Sequence, residues 1–91
     1  MTHDELDSLR ARMDAINLEI RDRLQARARL VTAIAQWKRA HGQRIADPGR
    51  EAAMLAQVLA GAGEGFPPAA LQRIFAAVFA ESRALAERAA T

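Results

Sequence analysis

The stretch from Asp4 to about His41 contains neither glycine nor proline, and no other feature constrains the fold as strongly. Large apolar residues recur along it at spacings of three or four, apart from one gap: Leu6, Leu9, Met13, Ile16, Ile20, Leu24, Val31 and Ile34. This spacing places them on one face of an α-helix. The sequence therefore predicts one amphipathic helix over about residues 4–41, which Gly42 ends.

The length of this helix predicts how the chain assembles. At 1.5 Å per residue it is roughly 55 Å long, whereas a compact chain of 91 residues has a radius of gyration of about 12 Å. The helix therefore overhangs any compact monomer, and most of its apolar stripe would contact water. We expect a second copy of the chain to cover it in a two-fold symmetric homodimer.

Two shorter helices are expected after the first. Asp47-Pro48 suits an N-cap followed by a first helical turn, which predicts a helix over about residues 48–60. A glycine-rich stretch then interrupts the chain, and a proline pair begins a third helix over about residues 67–89. Strand signals are missing. The sequence predicts an all-α, three-helix chain that forms a single domain over residues 1–91.

Composition argues against several classes of protein. The chain has no cysteine and two distant histidines, which leaves no credible nucleophilic triad and no cluster of metal ligands, so we expect no metal. The net charge is only +2, with basic and acidic residues interspersed, which argues against a nucleic-acid partner. Because no apolar stretch could span a bilayer and the N-terminus is polar, we expect no membrane partner and a cytoplasmic location.

Two cations interrupt the apolar stripe of the first helix. Arg27 fills the gap between Leu24 and Val31, and Lys38 follows Ile34 by four residues. Positions eleven residues apart lie within roughly 20° of each other around a helix. Both side chains are therefore expected to point into one space.

The two shorter helices add further inward polar residues: Arg50, Glu51 and Ser82. Three buried cations facing one acid leave positive charge uncompensated, and an anionic ligand would neutralise it. Arginine binds carboxylates bidentately, whereas the single lysine of the chain, Lys38, suits one oxygen. The alternative is that each side chain, taken singly, belongs to an interhelical salt bridge or only lays its aliphatic stem along the core.

Arg10 is a further candidate. It precedes Arg27 by 17 residues, which is about 25 Å along the helix and roughly 100° around it. Arg10 therefore cannot serve the same pocket, but in an antiparallel dimer it can reach the pocket of the other chain. The alternative is an exposed helical arginine.

Several short elements, in this order and spacing, carry a family resemblance: Leu9-Arg10, Arg27, Lys38, the run from Ile45 to Glu51, Ile74-Phe75 and Ser82. Over nearly its whole length the chain resembles the all-helical AroQ-class chorismate mutases. The resemblance implies an intertwined three-helix homodimer that rearranges chorismate to prephenate in aromatic amino acid biosynthesis. It also implies a pericyclic reaction with electrostatic and conformational stabilisation, no covalent intermediate and no cofactor.

The resemblance also implies roles for single residues. Arg27 and Arg10 of the partner subunit would hold the two carboxylates of the substrate, and Lys38 would donate to the ether oxygen as the C–O bond breaks. The remaining candidates would bind other parts of the substrate: Asp47 and Glu51 the ring hydroxyl, Arg50 the entrance region and Ser82 a carboxylate.

One position departs from the family pattern. The family usually has Gln or Glu four residues after the serine, and this chain has Ala86. Losing one donor to a developing charge costs roughly 3 kcal/mol in the barrier, so we expect low activity of the chain alone and an activating enzyme of the shikimate pathway as a partner. Three alternatives stay open: a 4-amino-4-deoxychorismate mutase, an isochorismate pyruvate lyase, and a non-catalytic helical dimerisation module.

Overall fold

The computed structural model describes residues 2–91, and within them it contains three α-helices and no strand. Helix α1 covers His3–Ala40, α2 covers Pro48–Ala60, and α3 covers Pro68–Ala89. Each bound lies within one residue of the bound expected from the sequence. The all-α, three-helix prediction is therefore confirmed.

The chain divides into two compact units, one ending at Leu30 and the other covering Val31–Thr91. The first unit is the N-terminal part of α1, and a reciprocal capping box begins it. The Glu5 amide donates to Thr2 Oγ1 at 3.1 Å, and the Thr2 amide donates to Glu5 Oε2 at 3.2 Å. These two bonds satisfy donors that would otherwise lack helical partners.

The apolar stripe of the first unit is exposed. Five large side chains of this stripe have exposed fractions between 42% and 58%: Leu9, Met13, Ile16, Ile20 and Leu24. Burial of apolar surface stabilises a protein by roughly 25 cal/mol per Å². Within its own unit this helix segment therefore lacks the stabilisation that its stripe could supply.

In the second unit α2 and α3 pack against each other. Among residues 2–91 the buried side chains are Ala35 on α1 and Phe79 on α3. Phe79 also meets Phe75 edge to face, with 6.0 Å between the ring centroids. The core of this unit is small, since its other side chains are half-buried or exposed.

Gly42 ends α1, as the sequence predicted. Its φ of 66° lies in the left-handed region that favours glycine. The Gln43 amide then donates back to the carbonyl oxygen of Lys38 at 2.8 Å, which is the six-to-one bond of a Schellman motif. The turn that follows α1 therefore holds the backbone carbonyl of Lys38.

Asp47 caps α2, and this prediction is also confirmed. Its Oδ1 accepts a hydrogen bond from the Arg50 amide at 3.1 Å, and Pro48 occupies the first helical position.

Replacing Asp47 with alanine is expected to lower the free energy of unfolding by about 1 kcal/mol. Thermal or urea unfolding checks this, and Asp47→Asn is the control because asparagine also caps. Equal stability of Asp47→Ala and the parent would contradict the capping role.

No helix within residues 2–91 combines the length and the apolar character that a membrane span requires.

Candidate active site

Lys38 lies in the last turn of α1, in the second unit, and its side chain is half-buried. Its Nζ donates to the carbonyl oxygen of Ile45 at 3.2 Å. An ammonium group has three donors, and within residues 2–91 this carbonyl is the one hydrogen-bond partner of Nζ. The bond fixes the direction of the side chain and leaves donors for an external oxygen.

The first turn of α2 carries three further candidates: Asp47, Arg50 and Glu51. Asp47 uses one carboxylate oxygen for the cap, so its other oxygen can accept from a ligand. Arg50 is exposed, so the structure of the single chain does not show its side chain pointing inward. Its role toward a ligand stays a prediction. Glu51 is half-buried and lies where the helix dipole favours an anion.

Glu51 is held by Arg83, which no pattern in the sequence indicates as a site residue. Nη1 of Arg83 donates to Oε1 of Glu51 at 2.6 Å, which joins α3 to α2. The glutamate side chain is 32% exposed and the arginine side chain 51%. In the sequence, Arg83 is notable only because it follows Ser82 directly. Exposed arginines on helices are too common for that position to indicate a site residue.

Ser82 is half-buried on α3 and uses its proton internally. Its Oγ donates to the carbonyl oxygen of Val78, one turn earlier, at 2.7 Å. Because a hydroxyl has one proton, Ser82 can donate to a substrate carboxylate only after this bond breaks.

Ala86 lies one turn after Ser82, is half-buried and offers no side-chain donor. Its neighbour Glu87 is exposed. A neighbouring residue on a helix points about 100° away, so Glu87 does not replace the missing donor on this face.

Arg10 and Arg27 belong to the first unit. Arg10 is exposed, whereas Arg27 is half-buried. Their roles toward a ligand stay predictions. Within the second unit the structure shows two separate contacts of candidate residues, Lys38 with the carbonyl oxygen of Ile45 and Glu51 of α2 with Arg83 of α3.

Comparisons with known proteins found a matching family and a similar solved structure. A family model described as chorismate mutase type II matches residues 9–87. The solved structure of chorismate mutase (form II) from Thermus thermophilus is similar, with a TM-score of 0.88 and 34% sequence identity, over 92% of this chain and 96% of that one. No curated protein gives a significant match.

These likenesses define the class of protein, an all-helical isomerase. The chain belongs to the chorismate mutase type II family. The family resemblance, the chorismate mutase function and the enzyme class predicted from the sequence are therefore confirmed.

Proposed function

We propose that this chorismate mutase converts chorismate to prephenate, for aromatic amino acid biosynthesis, at a site that two subunits of a homodimer share. The observation that carries the proposal is the family match over residues 9–87, which includes Lys38 with its Nζ held 3.2 Å from the Ile45 carbonyl oxygen. A donor fixed in this way suits a reaction in which charge develops on one oxygen.

The reaction breaks one C–O bond and forms one C–C bond within a single dianionic molecule. Lys38 donates to the ether oxygen as negative charge develops there, which stabilises the transition state more than the ground state. Arg27 and Arg10 of the partner subunit bind the two carboxylates bidentately and hold the substrate in its folded conformation. The protein needs no nucleophile, no proton transfer and no cofactor for this chemistry.

The ring end of the substrate binds at α2. Asp47 and Glu51 contact the ring hydroxyl, whose single proton Glu51 accepts, and Arg50 lies at the entrance. Glu51 suits this role because Arg83 occupies only Oε1. Ser82 assists a carboxylate once its hydroxyl turns away from Val78.

A homodimer supplies the second arginine and covers the exposed stripe of α1. Five stripe residues from Leu9 to Leu24 are more than two-fifths exposed in the single chain. An apolar stripe of this length supports burial against another chain. In a two-fold symmetric dimer, the same stripe of each subunit lies in the interface.

The deciding experiment is turnover of chorismate by the purified protein, with the product identified as prephenate. Parallel assays use 4-amino-4-deoxychorismate and isochorismate. Prephenate formation supports the proposal. Reaction of an analogue but not of chorismate overturns it and favours one of the sister activities on the same scaffold.

The missing donor at Ala86 makes an activating enzyme of the shikimate pathway part of the proposal. The chain alone lacks one contact to the developing charge, so its turnover is expected to be low. Such a partner would raise it. An increase in kcat on adding the preceding enzymes of the pathway supports this. Equal turnover with and without them contradicts it.

Ala86→Gln is expected to raise kcat for chorismate. A second donor to the developing charge contributes up to about 3 kcal/mol, or roughly 100-fold in rate. Steady-state kinetics check this, with Ala80→Gln as the control because Ala80 is exposed on another face of α3. An unchanged or lower rate for Ala86→Gln would contradict the assigned position.

A further inference from the structure

The Arg83–Glu51 ion pair has a chemical consequence for the ring end of the site. Nη1 of Arg83 lies 2.6 Å from Oε1 of Glu51. Within residues 2–91 the second oxygen, Oε2, has no hydrogen-bond partner. The carboxylate is thus held at one oxygen and open at the other.

The ion pair determines the net charge next to a ligand group that binds Oε2 of Glu51. A group that bonds to Oε2 lies within about 8 Å of the Arg83 guanidinium, since each hydrogen bond spans about 3 Å. That separation is about one Debye length at physiological ionic strength, so the arginine charge is felt there. A ligand group at Oε2 therefore meets a pair whose net charge is zero.

A hydroxyl and an amine respond differently to such a pair. A neutral hydroxyl needs only an acceptor oxygen, which Oε2 supplies. An aliphatic amine is protonated at neutral pH, and its attraction to Glu51 is offset by repulsion from Arg83. The pair therefore favours a hydroxyl over an ammonium group.

We infer that Arg83 is a specificity-determining residue that positions and neutralises Glu51, so that this site takes a dicarboxylate with a neutral ring hydroxyl and disfavours a ring ammonium. The inference rests on the proposed function, which brings the ring substituent to Glu51. Arg83 acts through Glu51 and is not itself a catalytic residue.

The test compares Arg83→Met with the parent protein. Chorismate turnover gives KM and kcat, and 4-amino-4-deoxychorismate, added as a competitor, gives Ki. Because the ring substituent takes no part in the bonds that break and form, loss of Arg83 is expected to raise KM and leave kcat within about twofold. The ratio of Ki to KM is expected to fall about two- to fivefold, the range for one partly exposed charge.

Two variants serve as controls. Arg83→Lys keeps the charge and is expected to restore the parent ratio of Ki to KM. Arg73→Met removes an exposed arginine from the same helix without breaking a hydrogen bond or ion pair found among residues 2–91, and it is expected to leave the ratio unchanged. A purely structural role of Arg83 would lower kcat and the melting temperature and would not move the ratio.

Three results overturn the inference. The first is an unchanged ratio of Ki to KM in Arg83→Met, and the second is an equal shift in Arg73→Met. The third is no inhibition by the amino compound in any variant, since removal of Arg83 would then not admit an ammonium group. A parent protein that converts chorismate while these results hold leaves the proposed function standing, whereas a parent protein without turnover overturns both.

Discussion

Lys38→Ala is expected to abolish measurable turnover of chorismate while the protein stays folded and dimeric. Removing one donor to a developing oxyanion lowers kcat by about 100- to 1000-fold. The Lys38 ammonium group is such a donor, and its positive charge adds to the stabilisation of the developing negative charge. Folding should tolerate the change, because the side chain gives up one hydrogen bond, to Ile45, and alanine is a good helix former. The Schellman bond from Gln43 uses only the backbone of residue 38.

The measurement is kcat at saturating chorismate, with circular dichroism and sedimentation velocity on the same sample. Arg39→Ala is the matched control, because Arg39 is the next cation along α1, is exposed, and donates to the Thr91 carbonyl oxygen instead. It is expected to keep the parent turnover. A Lys38→Ala protein that retains most of its activity would refute the assigned role of the lysine.

Arg10→Ala and Arg27→Ala are each expected to be inactive alone and to recover activity when mixed. Each site in the proposed homodimer takes Arg27 from one subunit and Arg10 from the other. A heterodimer of the two variants therefore has one intact site and one site that lacks both arginines. With random exchange of subunits, about a quarter of the parent activity should return.

The experiment mixes the two variants after partial unfolding and refolding, which lets the subunits exchange, and follows chorismate turnover. Each variant refolded alone is the control for recovery by refolding itself. Complementation can occur only if the two arginines of one site come from different chains. No recovery, with heterodimers detected by native mass spectrometry, would show that each site is built from one chain.

The helices could be predicted from sequence because their signals are local. The three- and four-residue spacing of apolar side chains, the stop at Gly42 and the cap at Asp47 all act within one or two turns, and the structure reproduces each of them. Family membership was also readable, since it depends on the order and spacing of a few residues along the chain. The prediction of a second chain along α1 depends on the same stripe, which the structure leaves exposed.

The site was predictable only in part, because a residue type does not reveal its hydrogen-bond partner. The family resemblance implies that Ser82 assists a carboxylate, yet its proton already bonds to the carbonyl oxygen of Val78. Lys38 was selected for its charge, whereas the carbonyl oxygen that directs its side chain belongs to Ile45, seven residues further along the chain.

The three helices, their ends and the family can be read from the sequence, since helix periodicity and capping depend on neighbours a few residues apart. The pairing of Arg83 with Glu51, in contrast, depends on tertiary packing. These residues are 32 positions apart, and they meet because α2 and α3 pack together. An ion pair of this kind depends on the packing of two helices, and no periodicity within either helix encodes it.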